Sequence, residues 1–581
     1  MDIRKELNLG FSDFKSIIEN NNYFVDKSLL IKEVIKSEKA VLLLPRPRRF
    51  GKTLNLSMLQ YFFEIDKPEN EKLFSHLKIW NTETDIKEKR GKYPVISLSF
   101  KDAKDDNWSD CLELIKDEIV ELYTTHNYLL ESDKLAENEK RDFKSIIDKT
   151  ALRTTFQGSL KKLSKYLYNF YNQKVVILID EYDSPIQAGY RKFYDKSISF
   201  MRSLLSGAFK DNKYLYKGVI TGILRVSKES IFSGLNNMGV YSILDDRFSD
   251  CFGFTETEVK QILLDFEVTS DYGEIKKWYD GYKIGDTSDI YNPWSILNYA
   301  LEFNKGFQPF WVNTSSDDLL KEQLKGRNEN YTREQLLKLI NNETIEKTID
   351  QNFVFQDLET DKELLWTLLT FSGYLTTERK RDVNNFMLKI PNYEIKFVFK
   401  NIILKWLSVD IKIRKTLLED TTKYLITNQI EKFEKGFKEI ISDTFSYFDT
   451  KGEPENVYPV EFKELFNRVN QSYVLGLLAI IGDDYTIKSN RESGEGRYDI
   501  ILIPHDKTQY GIVIEIKQIK KRAKEKEVSF SKRIDDKICE ALYQIESNRY
   551  YNELIINGIT NIIKLPIVFA GKVPHISTAK K

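Results

Sequence analysis

Cysteine and histidine are scarce in this chain. Its 581 residues include three cysteines, Cys111, Cys251 and Cys539, and four histidines, His76, His126, His505 and His575. The cysteines lie far apart with no CxxC spacing. They read as reduced thiols, and a disulfide framework is not expected. The scattered histidines argue against a His/Cys metal centre. Long apolar runs are missing too. No stretch approaches 18 apolar residues, and MDIRKELNLGFSDFKSII at the amino terminus holds no apolar core of signal-peptide length. Membrane spanning and secretion by a standard signal are therefore disfavoured, and a cytoplasmic location without a membrane partner is expected. Neither sign of charge is in excess, since 88 Lys and Arg balance 88 Asp and Glu. Any basic surface must be local. There is no Gly/Ser-rich or Pro-rich linker and no internal repeat, so domain limits are not marked by composition.

What is present suits packed domains. Hydrophobic residues make up 41% and charged residues 30%, and the length suggests about three or four domains. Val41–Leu44 and Val175–Ile179 are continuous apolar runs. Val95–Leu98 and Gly218–Ile223 are each broken by one hydroxyl residue. Short runs of this kind, followed by polar or turn residues, predict buried parallel strands. Helical patterns such as Leu54–Phe63 and Ile198–Phe209 lie between them. The alternation predicts an α/β doubly wound sheet. After about Phe254 the pattern changes. Thr255 and Glu258 form a capping-box pattern at the start of an amphipathic helix, and the chain reads as mostly helical to about residue 445. Strand patterning returns at Tyr485–Lys488, Tyr498–Ile503 and Gly511–Lys517, a second α/β region.

Two places carry chemistry. The first is VLLLPRPRRFGKTLNLSML, an apolar strand, a tight loop ending Gly51-Lys52-Thr53, and a helix. Backbone N–H groups and the positive helix end suit a phosphate, Lys52 supplies charge to it, and the Thr53 hydroxyl suits Mg²⁺. Gly51 has no Cβ to block the approach. Arg46 stands where such loops usually begin with glycine. Arg46, Arg48 or Arg49 either contacts phosphate or holds the loop's shape through carboxylates. Further on, KVVILIDEYDSP is an apolar strand ending in Asp180-Glu181. Asp180 suits the Mg²⁺ water shell, and Glu181 suits the polarising of an attacking water. An ordinary strand ending in two solvated acids is the plainer reading of that run alone. The GKT upstream weighs against it. Asp183 is a candidate support for Arg48 or Arg49. Thr221, at the end of the next strand, is a candidate γ-phosphate sensor. Arg225 is a phosphate-facing or interface candidate, and Arg247 has the same standing. A core strand followed by a surface arginine explains these three equally well.

The second place is RYDIILIP followed by YGIVIEIKQ. Strand alternation puts Val513, Glu515 and Lys517 on one face and Ile512, Ile514 and Ile516 on the other. A hairpin with the preceding strand would bring Asp499 to Glu515 and Lys517. Two carboxylates and an ammonium suit metal-assisted phosphodiester hydrolysis. Asp499 and Glu515 would bind Mg²⁺, and Lys517 would orient or activate water. EIK on an edge strand is also a common solvated pattern. The basic residues Lys520, Lys521, Arg522, Lys524 and Lys526 either steer a phosphate backbone or form a solvated face.

The runs YFVDKSLLI, RPRRFGKTLNLSML, LIDEYDSPI, TGILRVSKESIFSGLNN, WYDGYKIG, YNPWSILNY and WVNTSSDDLL carry a specific resemblance. They are similar to a family of bacterial and fungal proteins with an AAA-ATPase-like domain followed by a PD-(D/E)XK nuclease-superfamily domain. The resemblance implies an AAA-like P-loop ATPase domain over 1–254, a helical middle region over 255–445 and a nuclease-like domain over 446–581. ATP and Mg²⁺ are the implied cofactors. Nucleic acid is the implied partner, DNA in preference to RNA, and a homo-oligomer is left open. The implied nuclease residues are Asp499, Glu515 and Lys517. The leading Pro of that motif is absent, and Arg497-Tyr498 precede Asp499 as in the GR-x-D pattern of the family. Glu464 is a candidate further acid, and Gln544 fits the glutamine that a later helix often adds. The two sites together point to an ATP-regulated or ATP-powered nuclease, or else to a nucleotide-dependent switch or effector whose nuclease-like domain binds without cutting. An inert NTPase fold is a third reading, prompted by Arg46.

Overall fold

The computed structural model describes residues 6–577, except 8, 226–236, 312–328, 352–355, 362, 383, 410–413, 451–479, 494–495, 520, 523 and 571–572. The chain divides into two compact units, Met1–Ser315 with Glu346–Ile395, and Ser316–Ile345 with Lys396–Lys581.

The first unit is built on five parallel strands. These are β1 (Val41–Pro45), β2 (Val95–Ser99), β3 (Val175–Asp180), β4 (Leu215–Gly222) and β5 (Met238–Val240), in the order β2-β3-β4-β1-β5. The four apolar runs become β1 to β4. β4 begins three residues earlier than its run, and β5 was not foreseen, since a three-residue MGV segment has no readable period. On one sheet face Leu42, Leu44, Val176, Leu178 and Val219 join a core with Met58, Leu59, Phe62 and Phe63 of the helix Lys52–Phe63. Leu43, Ile177, Ile179 and Ile220 are fully buried as well. Burial of both kinds of position is why these strands read as continuous rather than alternating.

The stretch after Phe254 begins as expected. Thr255 caps the helix Glu256–Asp265, with its N–H donating to Glu258 at 2.8 Å. Among the described residues the rest of this stretch is largely helical, but two small three-stranded sheets are added, the first of them starting just before that helix. One is β6 (Phe254–Thr255), β7 (Tyr282–Ile284) and β8 (Thr287–Tyr291) in the order β6-β8-β7. The other is β9 (Ile345–Thr348), β10 (Thr376–Lys380) and β11 (Asn385–Lys389) in the order β10-β11-β9. Segments such as TSDIY and TTERK are too short and polar to announce themselves as strands.

The second unit holds a mixed five-stranded sheet. It runs β12 (Tyr485–Ser493), β13 (Gly496–Pro504), β14 (Gly511–Ile519), β15 (Ile562–Ala570) and β16 (Val573–Ile576), in sequence order. β14 and β15 are parallel and the other pairs antiparallel. Parallel neighbours need a crossover, and the helix Glu527–Ser547 lies within it. Ile501, Ile503 and Val513 pack with Ile545, Tyr550, Leu554 and Ile559.

Candidate functional site

β1 feeds a loop and then the helix Lys52–Phe63. Gly51 is the N-cap, at φ 81° and ψ 20°, a left-handed conformation that favours glycine. Lys52 is buried and its Nζ donates to the carbonyls of Arg46 at 3.2 Å and Pro47 at 3.0 Å. Burial pulls its pKa down, while Glu181, Asp180 and Asp183 oppose that. β4 lies between β1 and β3, so the loop and the acidic strand end meet over it. Thr53 Oγ1 donates to Asp180 Oδ2 at 2.5 Å, and Thr221 Oγ1 to Asp180 Oδ1 at 2.5 Å. The Glu181 N–H donates to the same Oδ1 at 3.0 Å. Glu181 itself sits at φ 46° and accepts from Ser184 Oγ at 3.1 Å. Burial pushes its pKa up, but Lys52, Lys104, Ser184 and Arg48 outweigh this, and the carboxyl is held below its ordinary value. Lys104 Nζ is 3.6 Å away. Gly51, Lys52, Thr53, Asp180, Glu181 and Thr221 are thus gathered at one end of the sheet.

The arginines part company. Arg46 is fully buried, and its guanidinium donates to the carbonyls of Pro45 at 2.8 Å, Tyr241 at 2.7 Å and Phe248 at 3.1 Å. It also lies 4.9 Å from the Phe252 ring centre. Burial lowers its pKa to about 10. Its partners are carbonyls rather than carboxylates, and they hold the loop to the sheet. Arg49 is exposed, at φ 65°, and stacks 4.1 Å from the Trp294 ring centre. Arg225 is half-buried, with no hydrogen bond to its Nε among the described residues. Arg247 reaches Tyr241 Oη and the Glu33 carbonyl, both at 3.3 Å. Asp183 does not support Arg48 or Arg49. Its carboxylate accepts from the N–H groups of Ile223 at 3.0 Å and Leu224 at 3.1 Å and from Gln187 Nε2 at 2.8 Å. Burial raises its pKa, and the two backbone bonds moderate the rise.

In the second unit β13 and β14 pair with Ile500 opposite Ile514. Asp499 is the fourth residue of β13, and its Oδ2 accepts from the Ile516 N–H at 2.7 Å. Glu515 is 3% exposed and its Oε1 lies 2.9 Å from Lys517 Nζ. Its Oε2 is buried without a hydrogen-bond partner among the described residues. Burial pushes the Glu515 pKa up to about 7; Lys517 opposes this and the Asp499 charge adds to it. Lys517 donates to Gln544 Oε1 on the crossover helix. Gln544 Nε2 and Asn548 Nδ2 both donate to Tyr550 Oη at 2.9 Å. The expected trio and Gln544 therefore converge. Glu464 lies outside the described residues, as does Lys520. Lys521, Arg522, Lys524 and Lys526 are exposed, and Lys521 pairs with Glu527. Among the described residues no group of three or more His, Cys, Asp or Glu side chains is gathered as for a metal ion. Two carboxylates and an orphaned buried oxygen nonetheless fit a hard divalent cation.

Residues 8–232 match the model of a predicted AAA-ATPase family, and residues 465–578 that of the PD-(D/E)XK nuclease superfamily. The chain joins an AAA-ATPase-like domain to a PD-(D/E)XK nuclease-superfamily domain. It is similar to an "Uncharacterized protein in vnfD 5'region" of Azotobacter chroococcum mcd 1, at 27% identity over 407 residues, 68% of this chain and 69% of that protein. A solved DNA replication initiation factor covers 82% of this chain and 99% of its own at 11% identity, with a TM-score of 0.23, too low to carry an argument. Among the described residues no helix is long and apolar enough to cross a membrane. Sequence reasoning missed the residues that brace the AAA-like loop from afar, Asn292, Trp294 and Trp311. Their one signal was membership in the runs YNPWSILNY and WVNTSSDDLL. In the nuclease-superfamily domain it missed Asn548 and Tyr550, which lie a few residues beyond Gln544 in sequence.

Proposed function

We propose that this protein binds and hydrolyses ATP with Mg²⁺ and thereby controls a Mg²⁺-dependent nuclease, a DNA endonuclease acting in the cytoplasm. The division into 1–254, 255–445 and 446–581 belongs to the same proposal, and a homo-oligomer is compatible with it. The observation that carries the nuclease reading is the convergence of Asp499, Glu515 and Lys517, with a buried Oε2 on Glu515 that has no hydrogen-bond partner among the described residues. Asp499 and Glu515 hold the ion. When bound, Mg²⁺ supplies Lewis-acid stabilisation of charge developing on a phosphodiester. Lys517, steadied by Gln544, orients the attacking water and meets the developing negative charge.

At the other site Lys52 faces the β- and γ-phosphates, and Gly51 and the helix N-terminus supply backbone donors. Thr53 and Asp180, which are hydrogen-bonded to each other, would hold the nucleotide's Mg²⁺, and the Thr221 hydroxyl steadies Asp180 by donating to its other oxygen. Glu181, kept ionised by its basic surroundings, polarises the attacking water. Arg49 is assigned to phosphate, Arg46 to the shape of the loop, and Arg225 to the phosphate-facing edge of β4.

The alternative is a nucleotide-dependent switch or effector whose nuclease-like domain binds nucleic acid without cutting. A cleavage assay on DNA and RNA, with Mg²⁺ or Mn²⁺ and with or without ATP, separates the readings. Wild type is expected to cut, and Asp499→Ala and Lys517→Ala to lose at least about a hundredfold in rate. Equal nicking by wild type and both variants would sink the nuclease assignment.

A further inference from the structure

The outer edge of the phosphate loop is held by residues far along the chain. The Arg48 carbonyl accepts from Asn292 Nδ2 at 3.3 Å and from Trp311 Nε1 at 3.4 Å. Beside it, the Arg49 guanidinium lies 4.1 Å from the centre of the Trp294 ring. Trp294 is firmly seated. Its N–H is capped by Asn292 Oδ1 at 2.9 Å, and its indole N–H donates to the Phe310 carbonyl at 3.2 Å. Behind it, buried Glu394 accepts from Ser295 Oγ and from the Trp311 N–H, both at 2.7 Å. Arg49 is the movable partner. It is exposed and makes no ion pair among the described residues, although the Glu181 charge acts on it.

A guanidinium lying on a ring keeps its N–H fork free, and that fork matches a phosphate group with charge-assisted bonds. Ring stacking at an exposed site is the weaker of the two interactions. We propose that Trp294 is a positioning residue for Arg49: it holds the guanidinium off the phosphate site, and a γ-phosphate draws it away. Arg49 then discriminates nucleoside triphosphate from diphosphate, and the ring restrains that preference. This deepens the nucleotide-binding reading above and rests on it. Triphosphate affinity is lowered by the fraction of Arg49 held on the ring, and diphosphate affinity is untouched.

Titration calorimetry of the full chain with Mg²⁺ and either ATP or ADP tests this. Arg49→Met should weaken ATP at least about tenfold and leave ADP unchanged. Trp294→Leu should tighten ATP by about two- to fivefold, the worth of an exposed cation–π contact, and leave ADP unchanged. The double variant should match Arg49→Met alone, because the ring acts only through the arginine. Trp294→Phe keeps a ring and loses the bond to Phe310, so it should stay near wild type. The proposal is overturned if Trp294→Leu weakens both nucleotides alike, if its effect persists without Arg49, or if Trp294→Phe behaves as Trp294→Leu. Should Trp294→Leu fail to fold, unchanged ATP affinity in Arg49→Met overturns the proposal by itself. Undiminished ATP binding by Lys52→Ala would strike the site assignment instead, and no ATP binding by wild type would remove both.

Discussion

Glu515 shows how one residue's chemistry is set by its surroundings. Position 515 on a strand face is a matter of alternation, but its proton affinity is a matter of burial. A carboxyl whose ordinary value is near 4.5 is pushed up to about 7, by burial first and by Asp499 as well, against the pull of Lys517. The folded state therefore holds the proton more tightly than the unfolded state. This contribution to stability is fully present below about pH 4.5 and is lost as pH rises through 7. Glu515→Gln cannot titrate. Between pH 5 and pH 8, in the absence of divalent ions, its stability should gain on wild type by about 2 kcal/mol. Urea unfolding at the two pH values measures it. Parallel pH dependence in the two proteins would mean that the carboxyl is not held protonated in this way. A bound divalent cation reverses the preference, since it requires the carboxylate.

The phosphate loop is the element whose sequence departs most from expectation, and its backbone explains the departure. Positive φ falls on Arg49 and Gly51, not on Arg46. A glycine is therefore not required at 46 by conformation. The space is filled instead by a guanidinium bonded to three carbonyls. Arg46→Gly, which restores the more usual residue, should destabilise the first unit by about 3–5 kcal/mol. It removes a buried cation's packing and strands the carbonyls of Tyr241 and Phe248. Arg46→Lys should not rescue it, because a point charge cannot reach three acceptors as the planar fork does. Thermal unfolding reports both, and wild-type stability in Arg46→Gly would refute the assignment. The strands β1 to β4 were legible in outline because burial on both faces makes a run of apolar residues. β5 to β11 were not, because two to five residues with mixed polarity carry no period.

At the scale of the whole molecule, two chemically distinct sites lie on separate compact units of one chain. If nucleotide governs cleavage, ATP should change the wild-type cleavage rate by about 5- to 150-fold, the usual span of a coupling free energy. Lys52→Ala should cut at a rate that ATP does not alter. Equal responses to ATP in the two proteins would disconnect the sites. The phosphate loop is tied within its own unit to Asn292, Trp294 and Trp311, and through Trp311 to Glu394.

The amino-acid sequence by itself determined the strand, loop and helix around Gly51-Lys52-Thr53, the acids at the end of β3, and the common face of Glu515 and Lys517. These depend on neighbours a few residues apart, where periodicity and turn chemistry operate. Tertiary structure alone decided what the side chains touch. Arg46 meets carbonyls 195 and 202 residues away. Asp183 turns to the backbone after β4 rather than to an arginine, Arg49 lies on Trp294, and Lys517 finds Gln544 across the crossover. A long polar side chain takes whichever partner the fold brings within about 3 Å, and its own sequence neighbourhood carries no record of that choice.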